Sequence, residues 1–578
     1  MVINRNTIIK NLLEAHPETI DVFRKYNLVI AGGVRGPNEP IAFFAKAHEV
    51  DYDILFKELN EAIEKGKGGS AELPVFEEDK VYEKFVKTAI VLTLSAGVAV
   101  GALILSYISL KLDFSSIYYA FIQAHGHAQL FGWAGLSIMG FALYIIPRVK
   151  NAELRNKNLV NYCYGFIVTG ILLRITVQSF SVDAIRFLLP LSALFELVSV
   201  FLFSLIILKT VFSSKEKTAV FDKFFKAGIL WFLVTAGINL GMTVYAYSYS
   251  LHEIPKTFFS PFVHLFLFGF VFMFIFGVNI RTVYAFLDIK PVRERAVNLT
   301  FWIMNISVPV YFIAHVLADK SAVALQLSRF IVFPLAIAVI SFIYGLRVFE
   351  KPTGELQDIV MDRSYTKTIR TAYLWLIAGS VILMVIPFLE VGSEVAKRFH
   401  GSLNHAITVG FVTMMIIGYA SKMIPTFRGV NMYSIPLSNM TFVLLNTGCF
   451  LRVFSQMVVG AGGGNRVSYS VLGLSGWFEL TALVLFGYNL WKTINIKEQL
   501  KQPEEHLVKI TKDTKVFDVV NQYPETLPIF LEFGFDQIAN PALLKTMGRV
   551  ATIDMATKMH HVDLDNFLKS LNKKVTAV

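Results

Sequence analysis

Cysteine is nearly missing from this sequence: Cys163 and Cys449 are the only two in 578 residues, and both lie inside apolar runs. That shortage excludes a disulfide framework and a thiolate-held iron–sulfur cluster, so a metal must be held by histidine, carboxylate or a cofactor. Charge is scarce too, with Asp, Glu, Lys and Arg at 17% against 54% hydrophobic and 14% aromatic residues. A water-soluble chain of this length has no way to hide so much apolar surface, which points to a lipid bilayer. The net charge of +11 then belongs in cytoplasmic loops and beside anionic lipid, and nucleic acid is not expected as a partner. Met1 to Lys10 lacks the apolar core of a secretory signal, which places the N-terminus in the cytoplasm.

What the chain has in quantity is long apolar runs. Twelve segments of about twenty residues or longer, the length a spanning helix needs, occupy 85–110, 117–147, 159–181, 183–212, 222–248, 258–286, 294–318, 321–348, 366–390, 394–425, 434–462 and 468–493. Lys and Arg crowd the connections after even-numbered segments and thin out after odd ones. By the positive-inside rule both termini then lie in the cytoplasm of a bacterial-type inner membrane. Two polar ends flank the apolar region. Residues 1–64 form one small domain at helical period, 65–84 a linker, 85–493 the membrane domain, 494–505 a second linker and 506–578 a second small domain. The ends resemble each other: His16-Pro17-Glu18-Thr19 with Phe23 recurs as Tyr523-Pro524-Glu525-Thr526 with Phe530, and His48-x-Val50-Asp51-x-Asp53 as His560-x-Val562-Asp563-x-Asp565. The expected fold is all-α, a polytopic twelve-helix bundle with a soluble helical module at each end that meets a cytosolic partner.

The membrane region repeats. His127, Gly132 and Gly140 in the second segment match His264, Gly269 and Gly277 in the sixth and His405, Gly410 and Gly418 in the tenth, at one spacing. The histidines are 137 and 141 residues apart, one four-helix unit each. Arg174, Tyr311 and Arg452 lie 47 residues past each histidine, and Gln178, His315 and Gln456 lie 51 past. Three pseudosymmetric four-helix repeats are the expected architecture. Polar groups at that depth face a bundle interior and mark function. The glycines admit two readings, helix packing points or room for a flat macrocycle.

The strings Ala124-His125-Gly126-His127-Ala128-Gln129-Leu130-Phe131-Gly132-Trp133 and Asn404-His405-Ala406-Ile407-Thr408-Val409-Gly410-Phe411, set in twelve helices, resemble the catalytic subunit of haem–copper oxidases and nitric oxide reductases. They are most similar to the NnrS family. The terminal modules look like a short domain of unknown function appended to iron–sulfur repair and hybrid-cluster proteins. Cysteines that many such domains carry are absent, and the N-terminal copy reads Ile30-Ala31-Gly32-Gly33. The resemblance implies one haem b with His127 and His405 as axial ligands and His125 as the alternative ligand. It also implies Arg174 and Arg452 on the haem propionates, and His264 and His315 as copper ligands or the catalytic pocket. Only one histidine stands at the family's paired site in the tenth segment, and Val316 follows His315, so a second haem is not implied and the copper set is incomplete. His400, about 140° round the helix from His405, is expected to face elsewhere. The implied activity is binding or reduction of nitric oxide or dioxygen. A reductase or oxidase fed by a quinol or cytochrome, and a cofactor-free transporter, stand as alternatives. Without a Cys-x2-Cys-His motif any haem is held by coordination and packing alone.

Overall fold

The structure, a computed structural model, describes residues 3–26, 36–66, 80–215, 218–389, 393–496, 510–523, 526–539, 543–544, 547–548 and 550–575. The two expected linkers lie largely outside these, and Ile30–Gly33, Pro524 and Glu525 entirely so. Twelve long apolar helices are found among the described residues: α1 (Val81–Lys111), α2 (Tyr119–Val149), α3 (Leu159–Phe180), α4 (Asp183–Ser213), α5 (Val220–Ser248), α6 (Lys256–Phe286), α7 (Glu294–Val316), α8 (Ala322–Leu346), α9 (Ser364–Phe388), α10 (Val395–Arg428), α11 (Ile435–Gly463) and α12 (Arg466–Ile494). Each matches an expected span to within several residues.

Burial sorts these helices into two rings. The apolar windows of α2, α6 and α10 are 94%, 89% and 89% buried, while the other nine are 33–50% buried, so these three form the inner wall. The outer ring closes where α12 meets α1: Gly476 brings α12 against Ala102, and Trp477 Nε1 donates to Ser106 Oγ at 2.9 Å. Threefold pseudosymmetry is visible in hydrogen bonds. Lys84, Lys223 and Lys367, near the starts of α1, α5 and α9, donate to Asn161, Asn298 and Asn439 of α3, α7 and α11. Those asparagines are 137 and 141 residues apart, the intervals of the repeat histidines.

Just after each repeat histidine the inner helix widens into π-helical turns, over Ala128–Gly135, Phe266–Val271 and Ala406–Thr413. Such turns are frequent at functional sites. The repeat glycines lie in or beyond them, and here the macrocycle reading is overturned. A Cβ on Gly132 would meet Leu92 at 3.3 Å, on Gly269 Trp231 at 3.0 Å and on Gly410 Trp375 at 2.5 Å. These glycines let α1, α5 and α9 lie close against the inner wall, the ordinary use of small residues between membrane helices.

Residues 3–66 form the helices Ile9–Ala15, Ile20–Lys25, Ile41–Ala47 and Tyr52–Lys65 around Ile9, Leu12, Phe23, Phe44, Leu55 and Leu59. This small domain seats on the membrane bundle at the ends that follow even-numbered helices. Lys46 pairs with Asp288 of the α6–α7 connection, Arg5 with Asp358 of the α8–α9 connection at 3.0 Å, and Glu39 with Lys422 of α10. The Ala47 carbonyl accepts from Arg281 at 2.7 Å and Tyr284 at 3.0 Å, and the Phe43 ring lies 6.2 Å from Phe286. Burial alone would raise the Asp288 carboxyl pKa, but hydrogen bonds from Lys46, Thr353 and the Leu356 N–H together outweigh it and hold the pKa below the usual carboxylate value. His48 is pushed down to about 3, by burial first and by the Arg281 charge second.

The residues from Lys497 onward make a separate compact unit. Its helices Val516–Gln522, Leu527–Glu532, Ile553–His560 and Leu564–Val575 surround Val516, Val519, Phe530, Ile553, Phe567 and Leu571. They reproduce the N-terminal domain element by element: the isolated β-bridge Ile8–Pro40 of one recurs as Lys515–Thr552 of the other.

Candidate cofactor site

An inner helix of this bundle has two working faces, because each of α2, α6 and α10 walls two of the three interior compartments. Polar side chains gather in three clusters, one per compartment, and close neighbours on an inner helix, such as His125 and His127 of α2 or Asn404 and His405 of α10, enter different clusters.

The first cluster contains His127. Its Nε2 bonds Glu196 Oε1 of α4 at 2.7 Å, and Glu196 Oε2 accepts from Asn239 of α5 at 2.7 Å. Gly170 makes this approach possible, since a Cβ there would meet Glu196 Cγ at 2.8 Å. Arg174 is fully buried beside them. Its Nε donates to Gln178 at 2.8 Å and Gln178 donates to Gln123 at 2.7 Å, while both terminal nitrogens of Arg174 have no hydrogen-bond partner among the described residues. The His127 ring stacks on Phe131 at 4.5 Å.

The second cluster joins α6, α7 and α10. His264 Nδ1 meets the Tyr311 hydroxyl at 2.6 Å and His264 Nε2 the Asn404 Oδ1 at 2.9 Å, so Nε2–H donates to the amide oxygen and Nδ1 accepts from the phenol. His315 Nδ1 donates to its own helix at the Tyr311 carbonyl, 2.8 Å away, and its Nε2 makes no hydrogen bond. His400 does not face elsewhere, as expected from its spacing, but enters this cluster. Its ring lies 6.4 Å from His264, and its buried Nδ1 has no partner. Inward of His264, Phe268, Met304, Leu335, Leu376 and Ile407 fill the compartment down to a cavity of about 10 Å³.

The third cluster brings α10 and α2 together with α1, α11 and α12. His405 Nδ1 donates to the Gly401 carbonyl at 2.9 Å and His125 Nδ1 to the Gly97 carbonyl of α1, also at 2.9 Å. Neither Nε2 makes a hydrogen bond among the described residues. The two imidazoles lie within electrostatic reach of each other, and Arg452 lies within reach of both. Gly101 leaves the space the His125 ring occupies, since a Cβ there would stand 2.8 Å from it. Arg452 Nε and Nη1, Gln456 Oε1 and Glu479 Oε1 are buried here without hydrogen-bond partners among the described residues.

The expected axial pair is therefore not brought together: among the described residues no hydrogen bond, ring contact or charge interaction joins His127 to His405. Arg174 and Arg452 are likewise in different clusters, and each lies within electrostatic reach of the glutamate of its own cluster, Glu196 or Glu479, without forming a salt bridge to it. The signal that separates His125 from His127 is faint. It lies in Gly97 and Gly101 on α1, four residues apart, which provide the carbonyl and the space for one imidazole only.

The third cluster fits a haem. Two imidazoles whose Nδ1–H groups are fixed on carbonyls offer Nε2 lone pairs to an iron, and the orphaned guanidinium atoms of Arg452 suit a propionate. The second does not fit a copper ion, because both nitrogens of His264 are committed. Among the described residues no three His, Cys, Asp or Glu side chains are placed to hold a metal ion together. Two family models match this sequence: one described as Cytochrome C and Quinol oxidase polypeptide I over residues 81–494, and one described as Domain of unknown function (DUF1858) over residues 510–568. No curated protein matches it.

Proposed function

Because the chain belongs to the cytochrome c and quinol oxidase polypeptide I family, and is thus a haem–copper oxidase-like multi-pass membrane protein, we propose that it is an inner-membrane haem protein that binds or reduces nitric oxide or dioxygen. One b-type haem is held by His125 and His405. The observation that carries this reading is the matched tautomer of the two rings, each with Nδ1 on a backbone carbonyl and Nε2 free. A haem so held supplies one-electron transfer. His125 and His405 would hold the iron through their Nε2 atoms, the carbonyls of Gly97 and Gly401 fix the ring planes, and Arg452 would neutralise a haem carboxylate in low dielectric.

Nitric oxide or dioxygen then meets the protein in the second cluster, where His315 Nε2 and His400 Nδ1 are uncommitted and Tyr311 and His264 supply a hydrogen-bonded proton donor pair. This keeps His264 and His315 as the reactive residues and adds His400. No step at copper is derived. Electrons arrive from a quinol or cytochrome donor, and both termini lie in the cytoplasm. The test is a reduced-minus-oxidised spectrum of the purified protein together with nitric oxide consumption in the presence of an artificial electron donor. A low-spin b-type spectrum and donor-dependent consumption that falls in His264→Ala and His315→Ala are expected. Protein purified without any haem band from haem-replete cells would defeat the reading.

A further inference from the structure

The two terminal domains share one fold but not one surface state. Positions 1–26 of the first align with the second at an interval of 507 and positions 37–60 at an interval of 512, intervals that also relate the two β-bridges. By that alignment Phe43 and Ala47, the apolar contacts of the N-terminal domain on α6, correspond to Met555 and Met559. Lys46, which pairs with Asp288, corresponds to Lys558, and Arg5, which pairs with Asp358, corresponds to Lys512. Asn38, which donates to Asn431 at 2.8 Å, corresponds to Val550.

So the face that the N-terminal domain buries is present on the C-terminal one, retains its two cations, and is more apolar. It is exposed: Met547 is 52%, Val550 72%, Met555 57% and Met559 63% accessible. Met547, Met555 and Met559 line one groove together with Phe535, Ile538 and Leu544. The fold does not require methionine there, since the sister domain builds the same helix with Phe43 and Ala47. Methionine gives such a surface an adaptable apolar contact. Among the described residues Lys558 is tied only to its own helix, at Asp554, in an exposed pair of the kind worth little and easily exchanged.

We propose that this face of the C-terminal domain is a protein-docking surface whose partner presents an aromatic side chain at a helix end flanked by carboxylates, the chemistry that Phe286, Asp288 and Asp358 offer to the N-terminal copy. The sister interface supplies the occupant's description: an aromatic ring for the groove and acids for Lys512 and Lys558.

The experiment uses the full-length protein and, as probe, a labelled peptide copying residues 278–290 of α6 and its connection, which carries both Phe286 and Asp288. The equivalent seat on the N-terminal domain is filled within the chain at high effective concentration, so the peptide reports on the C-terminal face. A photo-crosslinking amino acid replaces Met555. Saturable labelling below about 1 mM peptide is expected. It should fall at least about tenfold with a peptide carrying Phe286→Ser and Asp288→Lys, and equally with Lys558→Glu in the protein. Met559→Leu, which keeps the apolar shape, should leave it intact. Absent labelling, labelling indifferent to the altered peptide, or crosslinking at position 555 to lipid in phosphatidylglycerol-containing vesicles instead of peptide would each overturn the proposal.

Discussion

Repeats one and three carry the same side chains: His127, Gly170, Arg174 and Gln178 against His405, Gly448, Arg452 and Gln456, each 278 residues on, with Glu196 packed on Gly170 as Glu479 is on Gly448. In the first repeat His127 Nε2 is spent on Glu196 and Gln178 on Gln123, which leaves no imidazole nitrogen open although the terminal nitrogens of Arg174 stay unpartnered among the described residues. In the third repeat His405 turns to the Gly401 carbonyl, Gln123 is replaced by Gly401, and Glu479 keeps an unpartnered oxygen. A second imidazole makes the difference. The third compartment receives His125 from α2, whereas the residue of α6 at the matching position is Phe262, buried among aromatic rings. In the proposed reading a binding site and a structural network thus arise from one repeated constellation, and the neighbouring inner helix decides which it becomes.

The largest effect should come from His405→Ala. It removes one of the two nitrogens proposed to hold iron and should strip the low-spin spectrum from the purified protein. Arg452→Ala comes next. A charge-assisted bond is worth about 1.5–3 kcal/mol, so haem loss to an apo-globin acceptor should be roughly 10- to 100-fold easier by equilibrium transfer, while Arg174→Ala leaves that transfer unchanged. Equal responses of the two arginine variants would break the comparison. In the first repeat, Glu196→Gln should leave the haem spectrum untouched and lower the thermal midpoint in detergent, because His127 loses its charged partner, at a cost of about 1–3 kcal/mol.

The smallest effect concerns the seating of the N-terminal domain. Asp288 has its pKa lowered in the seated state, so its contribution is complete above the ordinary carboxylate value near 3.8 and is lost as pH falls through the folded value. His48, held neutral down to about 3 against 6.5 when free, adds stability that is complete above pH 6.5 and falls progressively below it. Protection of residues 41–47, measured as exchange relative to the intrinsic amide rate at each pH, should therefore fall between pH 6.5 and 4, and His48→Phe should flatten that slope.

The twelve helices, the three repeats and the terminal duplication are all legible in the sequence, because each rests on a periodicity that folding preserves. The face of an inner helix is not. His125 and His127 are about 200° apart round α2, so their spacing says that they serve different compartments without saying which compartment holds the second imidazole. That is set by α1, where Gly97 and Gly101 face His125, and by α4, where Glu196 captures His127. His400 escaped for the same reason: pointing away from His405 on a two-faced helix means pointing at His264. The glycine spacing was clear, but its meaning depended on Leu92, Trp231 and Trp375, residues from helices that no local pattern pairs with it.

The central claim is that α2 gives His125, and not His127, to the haem compartment. Purified His125→Ala and His127→Ala proteins, compared by reduced-minus-oxidised absorption and low-temperature electron paramagnetic resonance, test it most directly. The low-spin bis-imidazole signal should disappear in His125→Ala and persist in His127→Ala. Persistence in His125→Ala with loss in His127→Ala would contradict the account.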